Sequence, residues 1–206
     1  MRLRRFALGL SLLALLLLAA SGPAVRLGAP VIVGILLLPI AGLFGVIAVI
    51  LVIVAMVRRG FAPALAAAFL IGVAVAAVPI AGYVKARSVP PINDITTDEK
   101  EAGREQRRAY PDIQPSRLPV APNIAFERAK GAVEEMGWQI VREDPSAGRI
   151  EAVATTFWFG FKDDVLIRVS ADAGGSRIDV RSKSRVGKGD LGTNAQRIRA
   201  YQKRLN

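Results

Sequence analysis

The first 84 residues contain no acidic side chain and no lysine, only six arginines. All 17 carboxylates fall in 85–206, beside the other 22 basic residues. A chain segregated in this way is built for two solvents, lipid first and water second. Three apolar runs fill the first part. Phe6–Ala20 follows the charged start Arg2-Leu3-Arg4-Arg5, and Leu3 and Ser21–Pro23 extend it toward spanning length. Val31–Val57 and Phe61–Val84 each exceed the roughly 20 residues that cross a bilayer. The pattern predicts transmembrane helices over about 3–22, 31–57 and 61–84. Ala19-Ala20-Ser21 has the small-residue character of a signal-peptidase site, but the spans that follow directly favour a retained helix.

Short basic loops give the orientation. Arg2, Arg4 and Arg5 hold the N-terminus inside, and Arg58 and Arg59 hold the second loop inside. Arg26, Lys85 and Arg87 oppose this sense. The expected protein is therefore multi-pass in a bacterial inner (plasma) membrane, with its soluble domain on the periplasmic, outer side. The third run is rich in Ala and Gly, which suits close helix packing within the chain. No charge lies inside a span, so nothing points to an ion or proton path.

Cys and His are both missing. Thiol catalysis, disulfides, Cys/His zinc sites and a Ser-His-Asp triad are thereby excluded. No metal and no cofactor is expected.

Ser88–Asn123 holds six of the twelve prolines and reads as an extended tether. The predicted division is a membrane region at 1–87, a linker at 88–122 and a soluble domain at 123–206. In that domain Asn123 is expected to cap a helix whose Phe126, Ala129, Val133 and Met136 share a face, with Gly137 ending it. Alternation then predicts strands over Trp138–Arg142, Arg149–Phe157, Asp164–Ser170 and Arg177–Arg185. A last helix from Asp190 or Thr193 to the end would bury Leu191, Ala195, Ile198 and Leu205. The fold class is thus an all-α membrane region of three helices plus an α+β domain, α-β-β-β-β-α. An antiparallel meander sheet with both helices on one face is the simplest packing. Charge sets the register of the last two strands. Arg168 opposite Asp179 also puts Asp164 opposite Lys183, whereas a two-residue slip opposes Arg168 with Arg177.

Five stretches read together: Ile92-Asn93-Asp94-Ile95-Thr96-Thr97-Asp98, Tyr110-Pro111-Asp112, Gly137-Trp138, Gly160-Phe161-Lys162-Asp163-Asp164, and Asp179-Val180-Arg181-Ser182-Lys183-Ser184-Arg185-Val186-Gly187. They resemble the uncharacterised family called domain of unknown function 1499, found in bacteria and plants, over about 92–205. In that family the first motif leads into a Pro-Pro-x-Phe segment, where Glu99–Arg108 is charged in this chain. The resemblance implies a shared fold and grouping, and no known activity.

The candidate functional cluster is Asp163, Asp164, Arg168, Asp179, Arg181, Ser182, Ser184 and Arg185. Adjacent Asp163 and Asp164 would face opposite sides of a strand, which argues against a shared carboxylate site. Gly187-Lys188-Gly189-Asp190-Leu191-Gly192 matches G-x-G-x-x-G but lacks the βαβ unit of a dinucleotide site. Phe157, Trp158, Phe159 and Phe161 are expected to pack alternate members into the core, with an outward aromatic tip as the second reading. Residues 176–206 carry nine basic and two acidic side chains. Lys188, Arg197, Arg199 and Lys203 are the expected contacts to an anionic partner. The expected partners are the bilayer itself and an anionic lipid or an envelope protein, with no nucleic acid; nothing fixes an oligomeric state. Two functions follow. The first is a membrane-anchored extracytoplasmic module that binds an envelope partner or anionic surface without catalysis. The second is a hydrolase-like or divalent-cation-dependent enzyme using Asp163, Asp164, Asp179 and Ser182/Ser184.

Overall fold

The structure, a computed structural model, describes residues 2–205, and the Arg59 side chain also lies outside the described set. Its elements run α1 (Arg2–Arg26), α2 (Val31–Arg59), α3 (Pro63–Ser88), β1 (Asp94–Thr96), α4 (Arg104–Ala109), β2 (Ser116–Leu118), α5 (Pro122–Glu135), β3 (Gln139–Asp144), β4 (Arg149–Thr155), β5 (Lys162–Asp172), β6 (Gly175–Ser184) and α6 (Thr193–Gln202). Two compact units result. One is Met1–Lys85 with Trp158–Gly160, and the other is Ala86–Phe157 with Phe161–Asn206.

The first unit is made of three helices long and apolar enough to cross a membrane. Leu and Ile side chains such as Leu16, Leu43 and Leu70 face outward, while small residues face inward. That inversion of a water-soluble core suits a lipid solvent. A Cβ on Gly45 would lie 2.7 Å from the Gly72 carbonyl oxygen, so α2 and α3 approach closely because both crossing residues are glycine. Buried Ser11 donates its hydroxyl to the Ala68 carbonyl (3.2 Å), a polar contact between α1 and α3. The Ala/Gly face of α3 is thus used inside the bundle.

The second unit is an antiparallel sheet with helices on one face. Its strand order is β1-β6-β5-β4-β3, with β2 also paired to β6. Alternation in β5 and β6 buries Val165, Ile167 and Val169 beside Ile178 and Val180. Helix α5 covers them with Phe126, Ala129 and Val133, and α6 adds Ala195, Ile198 and Tyr201. Trp138 stacks on Tyr201 with ring centroids 5.5 Å apart, and Tyr201 donates its hydroxyl to the Ala129 carbonyl (3.0 Å). The register matches expectation: Arg168 opposes Asp179 and Asp164 opposes Lys183.

Several details differ from the sequence reading. The segment read as a tether carries β1, α4 and β2 and gives Ile95, Tyr110, Ile113 and Leu118 to the core. Strands three residues long show no periodicity, and the prolines mark turns between short elements instead of an extended chain. Both short strands lie along the same edge of β6, β1 against 181–183 and β2 against 176–178. Helix α5 starts from Ala121 with Pro122 in its first turn, so Asn123 is not the cap. Leu191 is exposed and precedes α6, and α6 ends at Gln202; Asn206 lies outside the described residues. The aromatics after β4 do not feed the core. None of Phe157, Trp158, Phe159 and Phe161 is buried, and Phe157 is 87% exposed. They fall in the turn between β4 and β5, outside the buried cluster beneath α5 and α6.

Two turn glycines separate backbone handedness from available space. Gly148 has φ +62° and a Cβ there would sit 2.1 Å from the Val169 carbonyl oxygen, whereas Gly174 has φ +82° with nothing within 4 Å. In the 86–206 fragment, Gly174→Ala should cost about 1 kcal/mol of urea stability and Gly148→Ala at least about 2 kcal/mol more.

Candidate functional site

The candidate cluster is split by the pleat. Asp163, Ser182 and Ser184 point to the helix-covered face, while Asp164, Arg168, Asp179, Arg181 and Arg185 belong to the uncovered face. They do not form one site.

On the covered side Asp163 is 3% exposed and accepts a hydrogen bond from Arg197 Nη2 at 2.5 Å. The Arg197 side chain is 8% exposed. Its Nη1 donates to Ser182 Oγ (3.0 Å) and also to Asn194 Oδ1. Ser182 Oγ donates to Asn194 Oδ1 (2.7 Å), and Asn194 Nδ2 donates to Ser184 Oγ and to the Asn93 carbonyl, both at 2.9 Å. This network ties β5, β6, α6 and the residue before β1. Arg197 is therefore not available to an outside anion, contrary to expectation. The helical spacing that put it on an outer face overlooked the buried carboxylate opposite it on β5. Asn194 and Asn93 were missed; Asn93 lies in the first family-like motif, which was the signal that could have found it.

The same network closes the glycine-rich turn. Asp190 accepts from the Gly192 amide (2.8 Å) and the Asn194 amide (2.6 Å), so its carboxylate occupies the N-terminus of α6. A phosphate there would meet a carboxylate already seated on two of the amides.

On the uncovered face every carboxylate of the cluster is held by an arginine. Asp164 pairs with Arg185 (2.6 Å) and Asp179 with Arg177 (2.7 Å). Arg168 reaches Glu101 (2.7 Å), not Asp179 opposite it. Arg181 grips Asp94 with two nitrogens (2.8 and 2.7 Å), and this holds the Asp94 carboxyl below its usual range. A shallow depression of about 310 Å³ lies here, lined by Val141, Arg149, Glu151, Leu166, Arg181 and Lys183 among others. It offers charged groups of both signs around one leucine and no hydroxyl nucleophile, because Ser182 is fully buried on the other side. Asp94 and Glu101 had no role in the sequence reading; they come from the segment taken for a linker.

The remaining expected contacts differ among themselves. Arg199 is clamped on Asp112 (2.5 and 2.8 Å), lies over the Tyr110 ring, and holds the Asp112 carboxyl below its usual range. Lys188 and Lys203 are exposed and have no acidic partner among the described residues, as has Lys162 at the start of β5. Among the described residues no three His, Cys, Asp or Glu side chains gather where a metal ion could be held.

Residues 87–205 match the family described as protein of unknown function (DUF1499). The chain belongs to that family. The DUF1499 match takes in β1, α4 and β2 together with the whole buried network from Asn93 to Arg197. A search of the curated proteins found no match. Among solved structures, one described as "Crystal structure of Ara h 8.0201" is similar to 45% of this chain and 94% of its own, at 16% identity and a TM-score of 0.24. A likeness at that level carries no argument about function.

Breaking the buried pair should be costly because it leaves one charge uncompensated. Arg197→Met in the 86–206 fragment should lose about 3–5 kcal/mol in urea unfolding. The double variant Asp163→Leu with Arg197→Met should regain more than half of that loss.

Proposed function

We propose that this DUF1499 chain is a membrane-anchored module whose soluble domain faces the outer side of a bacterial inner membrane and binds an anionic surface there without catalysis. The observation that carries the reading is how its charges are spent. The carboxylates that a hydrolytic or cation-dependent site would need are each taken by an arginine: Asp163 by Arg197, Asp164 by Arg185 and Asp179 by Arg177. Four lysines, Lys100, Lys162, Lys188 and Lys203, stand exposed with no acidic partner among the described residues. Unpaired lysines near a bilayer attract anionic headgroups by about 1 kcal/mol each, and paired arginines add little.

Orientation rests on Arg2, Arg4 and Arg5 at the start of the first helix and Arg58 at the end of the second. Alkaline phosphatase fused after Asn206 should be active, and a reporter that fluoresces only in the cytoplasm should stay dark. The reverse pattern would overturn the outer location. For the surface itself, the 86–206 fragment has its own hydrophobic core and suits vesicle flotation. It should float with phosphatidylglycerol vesicles at about 20 mM salt and release near 300 mM, where screening shortens below the Debye length of about 8 Å at physiological strength. Lys188→Glu with Lys203→Glu should weaken binding at least about tenfold without shifting the unfolding midpoint. A fragment indifferent to anionic vesicles at low salt would sink the lipid-surface reading.

A further inference from the structure

We infer that the hollow between α6 and the chain entering β2 is a saccharide site, which takes a hydroxyl-rich sugar carrying a carboxylate. The inference goes beyond the surface binding proposed above and does not rest on it. Asp112, Gln114 and Ser116 alternate along the chain that enters β2, with Ile113 buried between the first two. Arg199, Gln202 and Lys203 recur at helical spacing at the end of α6. These six residues line a hollow of about 480 Å³, within the range of small-molecule sites. Its polar side chains are already fixed. Arg199 is forked onto Asp112 and lies over the Tyr110 ring, 5.4 Å from its centroid. Gln202 Nε2 donates to the Gln114 carbonyl (2.6 Å) and to Ser116 Oγ (3.2 Å), and Gln114 Nε2 donates to the Pro111 carbonyl (3.2 Å). Those carbonyl acceptors decide which amide atom is nitrogen in each glutamine. Side chains locked in this way lose little further freedom when a ligand arrives.

What the lock leaves over is a mixed set of donors and acceptors. Gln114 Oε1 and Gln202 Oε1 accept no hydrogen bond among the described residues, and Ser116 Oγ donates none. Lys203 is exposed, and its ammonium has no acidic partner among them. Asp112 keeps lone pairs beyond the two that Arg199 takes, and the arginine holds its carboxyl below the usual range, so it stays ionised. A bare anion would meet Asp112 and two amide oxygens. A cation would meet Lys203 and Arg199. A hydroxyl both donates and accepts, so a run of neighbouring hydroxyls can answer both kinds of group together. Asp112 and Arg199 cancel as a pair, which leaves Lys203 as the net charge and selects a carboxylate on the sugar. The depression over Leu166 lacks this property, because its cations Arg149, Arg181 and Lys183 are each held by a carboxylate.

The probe is trigalacturonate, whose rings each carry neighbouring hydroxyls and a carboxylate, titrated calorimetrically against the full chain in phosphatidylcholine nanodiscs. Saturable binding is expected. Tricarballylate, which has carboxylates and no hydroxyl, should give none at the same concentration. Lys203→Ala, Ser116→Ala and Gln202→Leu should each weaken trigalacturonate binding at least about threefold, the worth of one hydrogen bond. Gln202 also braces the chain before β2, so its variant can disturb the fold. Lys203→Ala and Ser116→Ala remove no contact of the core and carry the test if Gln202→Leu lowers the unfolding midpoint. No binding of trigalacturonate overturns the inference. Equal binding of tricarballylate, or a loss confined to Lys203→Ala, reduces the site to charge attraction and overturns it as well. A chain that binds trigalacturonate but ignores phosphatidylglycerol vesicles keeps this inference and loses only the lipid-surface reading.

Discussion

The buried pair of Asp163 and Arg197 is the constraint on which the soluble domain depends. Two charges taken out of water cost several kcal/mol each unless geometry and further hydrogen bonds offset the loss. Here they do, because Ser182, Asn194 and Ser184 supply the remaining partners. The network draws on Asp163 of β5, Ser182 and Ser184 of β6 and Asn194 and Arg197 of α6, so it is satisfied only when the three elements dock together. Asn194 also holds the Asn93 carbonyl, which fixes where the entering chain meets the sheet. A half-formed version would be worse than an apolar core, and this favours one arrangement over alternatives.

The second constraint is the long edge of β6. A strand of ten residues left open would present unpaired amides and carbonyls to any other chain. Two three-residue strands cover it end to end, and Thr97 fills the gap between them. Its amide donates to the Val180 carbonyl (2.8 Å), and its hydroxyl oxygen accepts from the Val180 amide (2.8 Å). The outer side of β1 is closed by a side chain. Buried Gln106 donates to the Thr96 carbonyl (2.6 Å) and accepts from the Thr96 amide (3.1 Å), taking the role of a further strand. The charged segment Glu99–Arg108 therefore has a structural task. It supplies Gln106 to the edge and Glu101 to Arg168.

The uncovered face shows why a correct register did not give the correct ion pairs. Arg168 stands opposite Asp179, as the charge pattern required. Yet Asp179 is taken by Arg177 two residues away on the same strand, and Arg168 turns to Glu101 outside the sheet. Long arginine side chains select among several carboxylates within reach, so residues opposed in register need not bond each other.

The sequence by itself determined what depends on local pattern. Runs of apolar residues made the three long helices legible, and strict alternation assigned Val165, Ile167 and Val169 to one face and Asp164 and Arg168 to the other. It also separated Asp163 from Asp164, since neighbours on a strand cannot share a face. The tertiary structure decided what depends on distant partners. Arg197 reads as a surface charge on α6 until β5 brings Asp163 beneath it. Asp94 and Gln106 read as linker residues until β6 offers an edge to cover. Alternate members of Phe157, Trp158, Phe159 and Phe161 read as core until the fold places all four in the turn between β4 and β5, outside the buried cluster. In each case periodicity describes one element at a time, whereas burial and pairing are properties of two elements brought together by the fold.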